Sequence, residues 1–191
     1  RIFKSYDYAD FLLPSGPIGK GLAKAERVMY IKGLCVQATK GAKVLMRVIE
    51  PVFYRSWEHF SGHKQAPPAR PGCPAVVQKG GVIYFGHPMF SLYSHYAPGW
   101  VKKMLLNAID MLLDNRLLSH DGPSTLETTV NLQKDRKRWI VHLLHYIPTS
   151  RAHMLGIVED VIPVYNIKVS LRADINPRSV TLVPSGSPLE F

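Results

Sequence analysis

Ala75–Leu113, AVVQKGGVIYFGHPMFSLYSHYAPGWVKKMLLNAIDMLL, decides the reading of this chain: two short strands feed a helix, and no recognisable catalytic motif accompanies them. Ala75–Gln78 and Gly81–Phe85 are β-branched or aromatic runs. Lys79-Gly80-Gly81 separates them, and its glycines take positive φ without steric cost, so the unit reads as a hairpin. Pro98 stands where a helix would begin, since its missing N–H has no intrahelical partner there. Val101, Met104, Leu105, Ala108 and Leu112 then recur at helical spacing, which predicts a stripe laid against the sheet.

Working outward, Arg1–Ala25 is rich in Gly and Pro and reads as loop with one short strand. Val28–Ala38 and Lys43–Val52 read as strands joined by Thr39-Lys40-Gly41, a second hairpin signal. Gln65–Pro74, QAPPARPGCP, holds four prolines and reads as an irregular surface loop. Beyond the helix, Asp114–Ser124 has the composition of a linker. Thr125–Leu132, Arg138–Ile147, Ile157–Pro163, Tyr165–Arg172 and Ser179–Pro184 are then successive strand candidates with no helix between them, a pattern of sandwiches and barrels. The expected division is an α/β domain over residues 1–118 and an all-β module over residues 124–191, with five clear strands and a sixth beginning at Leu189. A sandwich needs about seven strands, so an open or intermolecularly paired edge is expected near Ser179–Phe191. Together with Arg1 at the start, this leads us to expect a piece of a longer polypeptide.

Composition bounds the function. The 191 residues are 46% hydrophobic and 20% charged, ordinary for a globular protein. No run of about 18 apolar residues exists and no leader is recognisable, so no membrane role is expected; a cytoplasmic location is a guess, since nothing in the sequence assigns a compartment. The net charge is +10 and unevenly placed: residues 1–118 hold 16 Lys/Arg against 7 Asp/Glu, residues 119–191 hold 8 against 7. The lysines of the first part are scattered without a recognition motif, so nucleic acid is not an expected partner. Cys35 and Cys73 are too few for a disulfide scaffold and read as two free thiols, with a single disulfide left open.

The chemistry-bearing residues form no complete constellation. His59, His63, His87 and His95 fall close together, but in Glu58-His59-Phe60-Ser61-Gly62-His63 the carboxylate precedes both histidines. A zincin helix needs it between them, so no metal and no other cofactor is expected. His142 and His145, three apart on a strand, point to opposite faces and cannot share an ion. Gly16-Pro17-Ile18-Gly19-Lys20-Gly21 lacks the phosphate-loop pattern. No G-x-S-x-G elbow or cysteine-hydrolase context occurs. Glycosidase chemistry needs two carboxyl groups about 5 to 9.5 Å apart, and Asp7, Asp10, Glu50, Glu58 and Glu159-Asp160 declare no such pair.

The blocks Pro51–Phe60 with Ser61 and His63, then PAVVQKGGVIYFGHPMF, then NLQKDRKRWIVHLLHYIP and Ile157–Pro163, carry a resemblance. Over about Tyr8–Phe191 the chain resembles the C-terminal region of bacterial glycoside hydrolases with a domain like the β-galactosidase trimerisation domain. In that family an amylase-like barrel precedes a glutamine-amidotransferase-like α/β domain without its nucleophile, and a small β-sandwich follows. The resemblance implies a partial flavodoxin-like (class I glutamine-amidotransferase-like) α/β domain and an incomplete antiparallel β-sandwich. It also implies non-catalytic work: self-association, with a trimer suggested, and support of the active site of a catalytic barrel that this sequence lacks. Tyr54, Arg55, Glu58, His59, His63 and His87 are the expected ligand or interface residues at the strand ends; no catalytic residue is expected. A carbohydrate-binding module is the alternative, with Trp57, Tyr93, Tyr96 and Trp100 as stacking surfaces. A degenerate amidotransferase would require a cysteine within about 4 Å of a histidine.

Overall fold

The computed structural model describes residues 10–29, 31, 33–50, 71–113, 115–153, 155–174 and 176–191. Contacts divide the chain into two compact units, Arg1–Asp114 and Asn115–Phe191.

Among its described residues, the first unit holds a five-stranded sheet and two α-helices. Its strands are β1 (Asp10–Leu12), β2 (Arg27–Met29), β3 (Lys43–Ile49), β4 (Pro71–Lys79) and β5 (Val82–Phe85), arranged β2-β1-β3-β4-β5. Lys79 pairs with Val82, leaving Gly80-Gly81 as a two-residue loop, and Gly80 takes φ 54°. The hairpin expected from the opening stretch is therefore present, for the expected reason. The second hairpin is not. Thr39–Ala42 does turn, with the Ala42 N–H donating to the Thr39 carbonyl, but β2 pairs with β1, and β3 lies between β1 and β4. The expected long strand Val28–Ala38 shrinks to Arg27–Met29.

Every ladder of this sheet is antiparallel. That differs from the flavodoxin-like architecture expected above, which winds helices over parallel strands. The hairpin and the meander-like return of β3 onto β4 force neighbouring strands to run in opposite directions. Pro71 and Pro74, expected in an irregular loop, lie inside β4. Pro74 opposes Arg47 where the β3–β4 register shifts, a place where the missing N–H breaks no regular ladder.

Helix α1 (Met89–Tyr96) ends at Ala97 in the left-handed conformation, and α2 (Gly99–Leu112) starts directly after Pro98. The predicted stripe is real at its centre. Val101, Met104 and Ala108 are buried in one cluster with Leu12, Met29, Met46, Val48 and Val76 of the sheet, while Leu112 is exposed. Burying a Val, Leu or Met side chain stabilises by about 1.5–3 kcal/mol, and Ala108 contributes less. Pro17–Gly19 forms a single 3₁₀ turn with Ile18 buried. The buried Asn107 of α2 donates from Nδ2 to the carbonyls of Ile18 and Lys20, both at 2.9 Å. The glycines there serve packing: a Cβ on Gly19 would meet the Pro14 carbonyl carbon at 2.6 Å.

The second unit contains four two-stranded antiparallel ladders among its described residues. They are β6 (Leu118–His120) with β11 (Val169–Leu171), β7 (Leu126–Gln133) with β8 (Arg138–His145), β9 (Thr149–Ala152) with β10 (Leu155–Ile157), and β12 (Thr181–Leu182) with β13 (Ser187–Pro188). The β7–β8 ribbon matches its expected strands. The expected linker instead carries β6, and residues 158–168 are not strand. The expected sandwich of two packed sheets does not form among the described residues, because no ladder here extends past two strands. Leu126 is the one buried apolar side chain described in this unit, whereas Val161, Tyr165, Val183 and Phe191 are widely exposed. Near Ser179–Phe191, where an open edge is expected, β12 and β13 pair with each other and their side chains are exposed.

Candidate functional site

Of the six residues expected to line a site, Tyr54, Arg55, Glu58, His59 and His63 lie outside the described residues. His87 is described, and it is not a surface residue. It follows β5, is 4% exposed, and its Nε2 lies 2.6 Å from Oδ2 of Asp10, itself 5% exposed at the start of β1. With Asp10 ionised, its carboxylate accepts and His87 Nε2–H is the donor. Asp10 Oδ1 and His87 Nδ1 are both buried without a hydrogen-bond partner. Such atoms each cost about 1–3 kcal/mol, so the surrounding fold must hold the pair in place.

How it does so is visible in the segment Gly33–Cys35. Leu34 N–H donates to the Gly86 carbonyl at 2.7 Å, and Gly86 N–H to the Ala75 carbonyl at 2.8 Å. Cys35 and Cys73 form a disulfide with Cα atoms 5.5 Å apart, which replaces the expected pair of free thiols. These ties press Gly33 against the His87 ring so closely that a Cβ there would lie 2.5 Å from it. Only glycine fits.

Chemically, a carboxylate holding an imidazole is the orienting half of a nucleophile triad. Neither cysteine can complete one as an amidotransferase-type thiol, because Cys35 and Cys73 are both consumed in the disulfide. With both side chains nearly solvent-free, the pair acts as a tie between β1 and the β5–α1 connection. Sequence reasoning weighed Asp10 only as a glycosidase carboxylate; a pairing across 77 positions leaves no local signal.

The remaining polar residues divide in the same way. His95 Nδ1–H donates to the Ser91 carbonyl within α1 at 2.8 Å. His142 and His145 stand opposite Thr129 and Leu126, on opposite faces of the ribbon. His145 Nδ1–H donates to the Ile162 carbonyl, and its Nε2 accepts from the Thr125 hydroxyl, so it pins two loops. Glu159 is engaged by Arg151 at 2.6 Å. Tyr146 donates its hydroxyl to Glu127 at 2.8 Å, and that hydrogen bond, with the carboxylate charge, raises its pKa above 10.0. Of the proposed stacking aromatics, Tyr93 and Trp100 pack against the core, Tyr96 is 73% exposed, and Trp57 lies outside the described residues. No group of three or more potential metal ligands occurs among the described residues.

No protein-family model matches the chain, and comparison with curated proteins gives no match. Among solved structures, α-L-fucosidase isoenzyme 2 from Paenibacillus thiaminolyticus is similar, with a TM-score of 0.81 and 29% sequence identity over 96% of this chain. The chain spans 28% of that enzyme's length. What it shares is thus the structure of one segment of a glycoside hydrolase.

Proposed function

We propose that this chain is a non-catalytic accessory region of a glycoside hydrolase, which associates with copies of itself and supports a catalytic barrel carried elsewhere in a longer polypeptide. The observation that carries this reading is the fucosidase likeness: nearly the whole chain is matched, yet only 28% of the enzyme is covered. The fine assignment, to a region like the β-galactosidase trimerisation domain, comes from the sequence resemblance and makes a trimer the expected oligomer.

The test is an assay of the purified chain on chromogenic fucosides and galactosides, paired with sedimentation to measure its mass. We expect no turnover and a mass above that of one chain. Robust hydrolysis would overturn the non-catalytic reading, and a monomer at all concentrations would overturn self-association.

A further inference from the structure

The tip of the β7–β8 ribbon is a concentrated positive charge in the otherwise nearly neutral stretch 119–191. Residues 119–191 contain 8 Lys/Arg against 7 Asp/Glu, and four of those eight cations, Lys134, Arg136, Lys137 and Arg138, fall in five consecutive positions with Asp135 as the one acid. The general basic bias of the chain does not explain this, because that bias resides in residues 1–118. All four side chains are exposed, and none forms an ion pair among the described residues. Like charges packed this closely sum to a local positive potential that attracts anions.

The display is built rather than loose. Arg136 N–H donates to the Gln133 carbonyl at 3.2 Å, Lys137 N–H donates to the Lys134 carbonyl at 3.1 Å, and Lys137 takes the left-handed conformation at φ 48°. Arg138 Nε donates to Gln133 Oε1 at 2.7 Å, which orients its guanidinium. Next along β8 is Trp139, 37% exposed, with Leu132 directly opposite and 46% exposed. Lys137 closes the turn two positions before Trp139, so an exposed aromatic side chain and a set of cations lie at one end of one ribbon.

We propose that this tip binds an acidic polysaccharide, with a sugar ring stacked on Trp139 and its carboxylate or sulfate groups paired with Lys134, Arg136 and Lys137. Aromatic faces take the apolar faces of sugars, and guanidinium and ammonium groups take the anions. The sugar part of this inference rests on the glycoside-hydrolase reading; the charge part rests on the ribbon alone.

Affinity electrophoresis of the full chain tests it, through gels holding dextran sulfate, polygalacturonate or neutral dextran. Retardation by at least one charged polymer and not by dextran is expected, and the polymer that retards tells sulfate from carboxylate. The variant Lys134→Ser/Arg136→Ser/Lys137→Asn should bind about tenfold more weakly, as expected for losing several exposed ion pairs. Asparagine suits the left-handed position, and amide circular dichroism checks the fold. A matched variant, Lys24→Ser/Lys40→Ser/Lys43→Ser, should stay within about twofold of the parent. Trp139→Phe should retain binding and Trp139→Ala weaken it. Equal losses in both triple variants would show plain ion exchange and overturn the proposal, as would retardation by dextran alone or binding of anionic phospholipid vesicles without any charged polysaccharide. The turnover and sedimentation results above are independent of this outcome, so either reading can fail without the other.

Discussion

The two units solve the burial problem differently. In the first, a sheet and two helices present apolar faces to one another, and a dozen residues from β1 to α2 form a single cluster. In the second, the β7–β8 ribbon has equally regular strands: Leu126, Val130, Leu132, Trp139, Val141 and Leu143 share one face by register, yet only Leu126 is buried. Strand patterning alone does not make a core. A second layer must face it, and isolated two-stranded hairpins are marginal in water.

That comparison breaks most directly at the Asp10–His87 tie. His87→Ala leaves a buried carboxylate without its partner and should cost about 3–5 kcal/mol of stability in chemical denaturation. A cost below about 1 kcal/mol would mean that the pair is a surface-like contact. Met104→Ala, at a fully buried position of the same cluster, should cost about 2–5 kcal/mol, whereas Leu143→Ala on the ribbon should stay within about 0.5 kcal/mol. Equal effects would erase the distinction between the units.

Next in size is the disulfide. Cys35 and Cys73 are 38 positions apart, and closing a loop of that length stabilises by about 2–4 kcal/mol. The double variant Cys35→Ser/Cys73→Ser should lose that amount and loosen the Gly33 contact with the His87 ring. A shift in the His87 imidazole resonances reports the second effect.

The smallest effect belongs to the ribbon. Tyr146 has a folded pKa raised above 10.0, chiefly through its hydrogen bond to Glu127. Its neutral form is the one favoured by folding. The contribution is therefore fully present below the unfolded value of about 10 and is lost as pH rises through the folded value. Glu127→Gln should bring the tyrosinate absorbance midpoint back toward 10.0; an unchanged midpoint would show that Glu127 is not the cause. Arg151→Ala, which removes an exposed ion pair with Glu159, should change stability by less than about 1 kcal/mol.

The sequence by itself determined the local devices. The Gly80-Gly81 loop needs positive φ, α2 shows its buried stripe at a 3.6-residue period, and β7 and β8 alternate between faces; each is a property of neighbours within a few positions. Local pattern also placed His142 and His145 on opposite faces. It could not place β2 beside β1, put Pro71 and Pro74 into a strand, join Cys35 to Cys73, or bring Asp10 to His87. Those depend on which distant segments meet and in what register, and loop-closure entropy varies too slowly with length to select one pairing over another. For these pairings the choice was made by the shared core of the sheet and helices, where burial of Leu12, Val76 and Met104 favours one strand order and brings the distant partners of the first unit into contact.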